Sequence, residues 1–228
     1  MLISVVIPVY NEKELINRNM VLLKETIHNL QVEIIVVDGG SKDGTANLAA
    51  RYADKVLVTH SKGRGMQMHQ GALAANGKIF LFLHIDTLLP DNWVECLLSA
   101  WKECIPLPKA TAFHLKFDDS GWQYNLICWA ARVRYLLTGV PHGDQAIAIH
   151  RDTYFKCGGF PDVPFMEEYA IFEKIKEFGQ IKWLPKDVIT SGRRYKKHYP
   201  LIQALKNSVI VYLYYLGLSP NILYRFYH

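Results

Sequence analysis

"KIFLFLHIDTLLP", residues 78–90, decides the fold. Its apolar run reaches Leu83 without the alternation of a half-exposed strand, so it reads as a strand buried on both faces. His84 and Asp86 stand where that run stops. A charge at the end of a buried strand is costly unless something pairs with it. What Asp86 holds is therefore the question on which function turns.

Outward from this stretch the same unit recurs. "ISVVIPVY", "EIIVVDGG" and "KVLVTH" are three earlier strands. They are joined by helices over 12–29, "TANLAARYA" and "GMQMHQGALAANG", the last closed by Gly77. Continuous apolar strands separated by helices predict an α/β fold, a Rossmann-like and mostly parallel sheet flanked by helices. Pro90 and Asp91 start the next helix, with Asp91 as its N-cap. After Lys102 the pattern changes. "ATAFHLKF" alternates like a strand with one wet face, "WQYNLICWAARVRYLL" is an amphipathic helix and "DQAIAIH" another strand. "MEEYAIFEKIKEFG" is a helix ending at Gly179, "IKWL" and "VIT" are strands, and 199–227 is a helical tail rich in Tyr and Leu. We expect one domain over 1–228: a nucleotide-sugar-binding half (1–102), an acceptor and catalytic half (103–198) and a C-terminal helical tail (199–228).

Composition narrows the function classes. The chain has 228 residues, half of them hydrophobic, which is enough to bury one substantial α/β core. A net charge of +5 suits an anionic ligand or a membrane surface, and its interspersed basic residues argue against nucleic acid. Cys96, Cys104, Cys128 and Cys157 lack CxxC spacing and read as free thiols in a reducing compartment, with no zinc site. The N-terminus lacks the pattern of a signal peptide, and no apolar segment reaches the ~18 residues of a membrane span. A cytoplasmic protein is expected.

Ligands of open α/β sheets bind beyond the carboxyl ends of the strands. Polar groups collect there four times. Strand one ends in Pro8, Tyr10, Asn11 and Glu12, and strand two in Asp38, Gly39, Gly40 and Ser41, followed by Asp43. Strand three leads into Lys62, Gly63, Arg64 and Gly65, and strand four into His84 and Asp86. Taken singly, Ser41 and Asp43 are explained by turn chemistry; the whole set is not. A dinucleotide site would need G-x-G-x-x-G after the first strand, where "PVYNEKE" has no glycine.

In this order, "SVVIPVYNE", "IIVVDGGSKDGT", "GRGMQMHQGALAANG" and "LFLHIDTLLP" resemble the inverting family-2 glycosyltransferases of the GT-A fold. "GDQAIAIHRDTYFKCGGFPDVPFMEEYAIFEKIKEFG" and "TSGRRYKKHYPLIQALKNSVIVYLYYLGLSP" extend the resemblance over almost the whole chain. It is nearest to a small bacterial subgroup associated with arsenosugar biosynthesis. The resemblance implies a nucleotide-diphosphate sugar donor, with a UDP-sugar favoured, and an acceptor hydroxyl that it does not identify. Pro8, Tyr10 and Glu12 would border the nucleoside, Asp38 would reach base or ribose, and Lys62 and Arg64 would join the donor site. Asp86 matches the last carboxylate of the family's D-x-D motif, which holds Mn²⁺ or Mg²⁺ on the diphosphate. The first position is His84 here: a metal ligand, a contact to phosphate or sugar, or a hydrogen-bonded strand-end residue.

An inverting transfer needs a carboxylate to take the acceptor's proton. The family places it in a Glu-Asp pair at a helix N-terminus, where this chain has Glu167 and Glu168. Glu168 takes the catalytic position and Glu167 is the alternative; as a plain structural reading, both would complement the helix dipole. Asp144 and Gln145 of "GDQ" would bind sugar hydroxyls. Arg193 and Arg194 of "GRRYKK" would clamp the diphosphate, against a reading of the run as solvated basic surface. Two alternatives stand beside an active transferase. One is a nucleotide-sugar-binding relative without activity. The other is a membrane-surface transferase with a lipid-linked acceptor, motivated by the aromatic stretches 122–137 and 199–227. The same stretches would also serve a homodimer.

Overall fold

In the computed structural model, residues 2–27, 31–60, 63–196 and 199–227 are described. Four parallel strands form the first half of one sheet: β1 (Ile3–Val9), β2 (Val32–Asp38), β3 (Lys55–Val58) and β4 (Ile79–Phe82). The sheet continues through β5 (Thr87–Leu88), β6 (Ala110–Phe117), β7 (Ile147–His150) and β8 (Ile181–Thr190), in the order β3-β2-β1-β4-β7-β6-β8-β5. Strand β7 runs antiparallel to both of its neighbours, while β8 returns parallel to β6. The sheet is thus parallel on the N-terminal side and mixed on the other.

The period-two geometry of a strand sends alternate side chains of β1 to opposite cores. Val5, Ile7 and Val9 pack with α1 (Lys13–Glu25), α2 (Thr45–Ala49) and α4 (Trp93–Glu103). On the other face Val6 meets α3 (Arg64–Ala74), and the same core takes in α6 (Arg151–Lys156), α7 (Glu167–Phe178), α9 (Pro200–Tyr215) and α10 (Pro220–Tyr227). A smaller cluster joins β6 to α5 (Trp122–Thr138). Each fully buried aliphatic or aromatic side chain contributes roughly 1.5–3 kcal/mol. Both faces of β1 and β4 are covered, as their unbroken apolar runs require.

Several boundaries depart from expectation. The first helix stops at Glu25 and the second at Ala49. Asn92, not Asp91, precedes α4, and no side chain caps it. Helix α3 ends at Ala74, before Gly77, whose hydrogen sits against Ser4 of β1 instead. The stretch after Phe82 leaves the fourth strand and returns as the short β5, paired to β8. "IKWL" and "VIT" belong to one strand, and the tail is two helices.

Gly71 shows how closely α3 approaches the sheet. A Cβ built there would drive into Val6 Cγ1 and stand 3.0 Å from Val37 Cγ2. Helix propensity alone would favour Ala over Gly by about 1 kcal/mol. Overpacking should win here, and Gly71→Ala should lose about 1–3 kcal/mol in urea denaturation. Gly44, at φ +88° with open space around it, is the comparison, since Gly44→Ala meets backbone strain without a clash. A Gly71→Ala protein more stable than wild type would contradict this packing.

Candidate active site

The carboxyl ends of β1, β2 and β4 lie side by side, and their loops are tied together by local hydrogen bonds. The backbone N–H of Asn11 donates to Ser41 Oγ (2.8 Å), that of Glu12 to Thr45 Oγ1 (2.9 Å) and that of Lys13 to Asp43 Oδ2 (3.1 Å). Ser41 and Asp43 therefore do turn and capping work. Buried in α3, Gln67 donates its amide to Val9 O (2.8 Å) and Val37 O (3.1 Å), locking the ends of β1 and β2. Pro8 is buried in β1, and Tyr10 lies 59% exposed at the rim. Asp38 is fully buried; Oδ1 accepts from Gly40 N (2.7 Å) and Ser41 N (2.6 Å), and Oδ2 has no hydrogen-bond partner among the described residues.

Asp86 is pinned through its backbone, its carbonyl accepting from Ser191 N (3.0 Å). That bond brings the end of β8 to the rim, and the short helix α8 (Arg193–Lys196) follows. Gly192 N donates to Asp118 Oδ1 (2.8 Å), fixing the turn. Arg193 then reaches Glu12 with a bidentate fork, Nη1 to Oε2 at 2.8 Å and Nη2 to Oε1 at 2.7 Å. Its Nη2 also lies 3.4 Å from Asp86 Oδ2. The fork expected to clamp a diphosphate is thus engaged with two carboxylates, and its bonds to Glu12 and the charge of Asp86 raise its own pKa. Lys62 and the Arg194 side chain lie outside the described residues.

The second group of site residues comes from α7. Met166 caps that helix in the left-handed region, at φ 68°. It turns Glu167 and Glu168 inward rather than toward solvent. Glu167 is 5% exposed. Burial pushes its carboxyl up and Arg64 pulls it down. Arg64, expected at the donor, stands as counter-charge to this acid pair. Glu168 is pushed up to about 7, by burial first and by the neighbouring Glu167 second; Arg64 and the N–H groups of Glu168 and Gly143 oppose the shift. Such a raised value means that the group favours the fold below the ordinary carboxylate range and that this contribution is lost as pH rises through about 7.

Gly143 is where Glu168 and His84 converge. A Cβ built on it would sit 2.5 Å from Glu168 Oε1 and 2.6 Å from both Cε1 and Nε2 of His84. Any side chain at this position would have to displace Glu168 and His84, so "GDQ" lies directly against the carboxylate. Gln145 faces inward, 1% exposed; its Oε1 accepts from His142 N (2.8 Å) and its amide from Nε2 reaches Phe113 O (3.4 Å). It braces the 3₁₀ turn Gly143–Gln145 and is spent before any sugar hydroxyl arrives. Asp144 on the same turn carries a half-buried side chain close enough to Tyr169 to act on its hydroxyl electrostatically. His142, held neutral by burial, bonds Tyr169 OH through Nε2 at 2.6 Å.

Sequence reasoning missed Gln67, His142 and the bracing role of Arg64. Only one signal pointed to any of them: a glutamine at a position of α3 that faces the sheet. Left-handed backbone at Asn11, Ala146 and Met166 was also missed; these three non-glycine residues each adjoin a site loop. Strained backbone concentrates at functional sites. Among the described residues, no group of three or more His, Cys, Asp or Glu could hold a metal ion by itself.

Residues 4–159 match the family model described as glycosyl transferase family 2. A dolichol-phosphate mannosyltransferase of Pyrococcus furiosus is 32% identical over 107 residues, covering 45% of this chain and 30% of the relative. A dolichyl-phosphate beta-glucosyltransferase of Trichomonas vaginalis is 29% identical over 132 residues, covering 48% and 39%. The chain thus spans well under half the length of these curated relatives. Among solved structures, a mannosyltransferase of Pyrobaculum calidifontis in complex with GDP-Man and Mn²⁺ superposes with TM-score 0.67 at 21% identity, over 91% of this chain and 61% of that one. Glucosyl-3-phosphoglycerate synthase of Mycobacterium tuberculosis, in complex with Mn²⁺, UDP and glucosyl-3-phosphoglycerate, gives 0.64 at 20% identity, over 96% and 81%. The fold is that of the GT-A glycosyltransferases.

Arg193 makes a testable point about this rim. Arg193→Gln leaves Glu12 and Asp86 close together without their shared counter-charge, which should cost about 1 kcal/mol at low salt. Mn²⁺ alone, without nucleotide, should then raise the melting temperature of the variant and leave wild type unchanged. A variant indifferent to Mn²⁺ would contradict the pairing.

Proposed function

The chain belongs to glycosyl transferase family 2, and on that premise we propose that it is an inverting, metal-dependent glycosyltransferase moving a sugar from a nucleotide-diphosphate donor to an acceptor hydroxyl. The observation that carries this reading is Glu168. Its carboxyl is poised near neutrality, close to His84 and accepting from the Gly143 N–H, at the head of α7. A general base works best with a pKa near the operating pH. Glu168 takes the acceptor's proton while Glu167, beside Arg64, holds the local field. His84 sits against the same Gly143 and orients the carboxylate or the incoming hydroxyl. Its imidazole belongs to the acid–base group more than to a metal site.

At the donor end, the nucleoside lies along Tyr10 and Glu12. The buried and unmatched Oδ2 of Asp38 is an acceptor that an N–H or hydroxyl of the nucleoside would satisfy. A UDP-sugar is the favoured donor. Asp86 fits a divalent cation whose other ligands are diphosphate and water, since hard cations of this kind are held by one or two carboxylates together with substrate phosphates. Such an ion, Mn²⁺ or Mg²⁺, would neutralise the charge that builds on the departing diphosphate. Arg193, already 3.4 Å from Asp86, adds a fixed positive charge beside that diphosphate. Within the family, we propose on its motifs that the chain belongs to the small bacterial subgroup associated with arsenosugar biosynthesis, and the acceptor is left open.

Donor hydrolysis with Mn²⁺ tests this reading without an acceptor. Asp86→Asn should abolish the Mn²⁺-dependent gain in affinity for nucleotide diphosphates. Glu168→Gln should lower turnover by ~10²-fold or more with donor affinity nearly unchanged, and Glu167→Gln should be milder. A wild-type protein that binds the donor and never turns it over would be a nucleotide-sugar-binding relative instead. If Glu167→Gln proves the more damaging, the two roles are exchanged.

A further inference from the structure

The charge of the chain is distributed unevenly. Residues 191–228 carry six Lys or Arg side chains and no Asp or Glu. Of 26 basic residues this leaves 20 in the rest of the chain, against all 21 acidic ones, so the whole positive excess of the protein arises in its last 38 residues. Of these six, Lys206 lies on α9 and Arg225 on α10, while Arg193 is paired with Glu12 and Asp86 at the rim.

Helix α9 exposes a continuous apolar stripe. Ile202, Leu205, Val209, Tyr212 and Leu216 follow one another at three- and four-residue spacing, and all are exposed. Ile210 and Val211 anchor the opposite side in the core. The neighbouring helix α5 does the same with Trp122, Leu126, Trp129 and Leu136, while Tyr124, Ile127 and Ala131 face inward. The two helices pack against each other, with Ala204 of α9 on the α5 cluster. Neither contains an acidic residue. Leu205 is 66% and Trp129 61% exposed. Large exposed apolar patches are rare on monomeric soluble proteins and mark protein or membrane contact sites.

We infer that this face, α5 with α9 and α10, docks on an anionic membrane surface. Tryptophan, tyrosine and leucine on one side with lysine and arginine beside them is the pattern of a helix lying in the lipid headgroup plane. Juxtaposed cations contribute about 1 kcal/mol each against an anionic leaflet, and this falls with salt. No helix among the described residues is long and apolar enough to cross a membrane, so the face rests on the bilayer and does not span it. A second copy of the chain is the rival occupant. A two-fold interface sets the same patch against itself, and here it would bring together two copies of helices that contain no acidic residue of their own, with Lys206 and Arg225 exposed on each. The face also adjoins the site: Tyr169, next to the candidate base, packs against Tyr214 and Tyr215 of α9. Docking would set the catalytic carboxylate near the bilayer surface.

Flotation of the full chain with vesicles tests this. With equal parts phosphatidylglycerol and phosphatidylcholine at low salt, wild type should co-float and its tryptophan emission should shift to the blue. Pure phosphatidylcholine, or high salt with the anionic mixture, should reduce the bound fraction about tenfold. The double variant Trp129→Ser, Leu205→Glu changes exposed side chains, so it should keep its fold by circular dichroism and its donor hydrolysis in solution, yet lose flotation. Wild type failing to float with anionic vesicles overturns the inference, as does a folded double variant that floats unchanged. Concentration-dependent dimers that the double variant abolishes, with no vesicle binding by wild type, would assign the face to a second copy. Hydrolysis and flotation are separate readouts, so either account can fail without the other.

Discussion

Two carboxyl groups set side by side at the head of α7, Glu167 buried and Glu168 half-buried, are the constraint around which the site is organised. Burying an acid is unfavourable for its charged form, and burying two together is more so. Sequence neighbours alone cannot relieve it. Arg64 arrives from the start of α3, the Gly143 N–H from the turn before β7, and Met166 accepts a left-handed backbone to aim both side chains inward. Gly65 allows the two helix starts to meet, since a Cβ there would lie 2.9 Å from Glu167 Cβ. What results is a carboxyl near its titration midpoint at neutral pH, which is a useful state for proton transfer and a poor one for stability.

The donor rim is organised by a different means. There the polar groups are paired in advance, with Arg193 shared by Glu12 and Asp86 and the loops of β1 and β2 sewn together by Ser41, Asp43 and Thr45. The C-terminal segment thereby closes over strand ends from the opposite end of the sequence. Asp86 is held in a charge-balanced form, and under the proposed function an incoming metal–diphosphate would compete with, or recruit, the guanidinium already present. The acid–base group and the donor rim meet at the end of β4, where His84 and Asp86 stand two residues apart.

Much of this was legible in the residues. Unbroken apolar runs identified β1, β2 and β4 as strands covered on both faces, and the polar residues following them marked the rim. Periodicity found α1, α5 and α7, because an amphipathic face leaves a 3.6-residue signature. What stayed hidden depended on contacts between distant segments. Gln145 resembles a sugar-binding residue until its amide is seen to be used on His142 and Phe113. Arg193 and Arg64 resemble anion ligands, and which carboxylates hold them is decided by how β8 and α7 return to the sheet. Short elements were also invisible: β5 is two residues long and exists because β8 pairs with it. Asn92, not Asp91, precedes α4 and its side chain makes no capping bond, so no cap fixed that boundary in the sequence.

The central claim is that Glu168 is a half-buried carboxyl titrating near neutrality. Infrared difference spectroscopy across a pH series measures it directly, because a protonated carboxyl has a carbonyl stretch that the carboxylate lacks. The account predicts one such band present below neutrality, disappearing with a midpoint of about 7 and absent from Glu168→Gln. A spectrum in which every carboxyl has ionised in the ordinary acidic range, or in which the neutral-range band survives in Glu168→Gln, would contradict it.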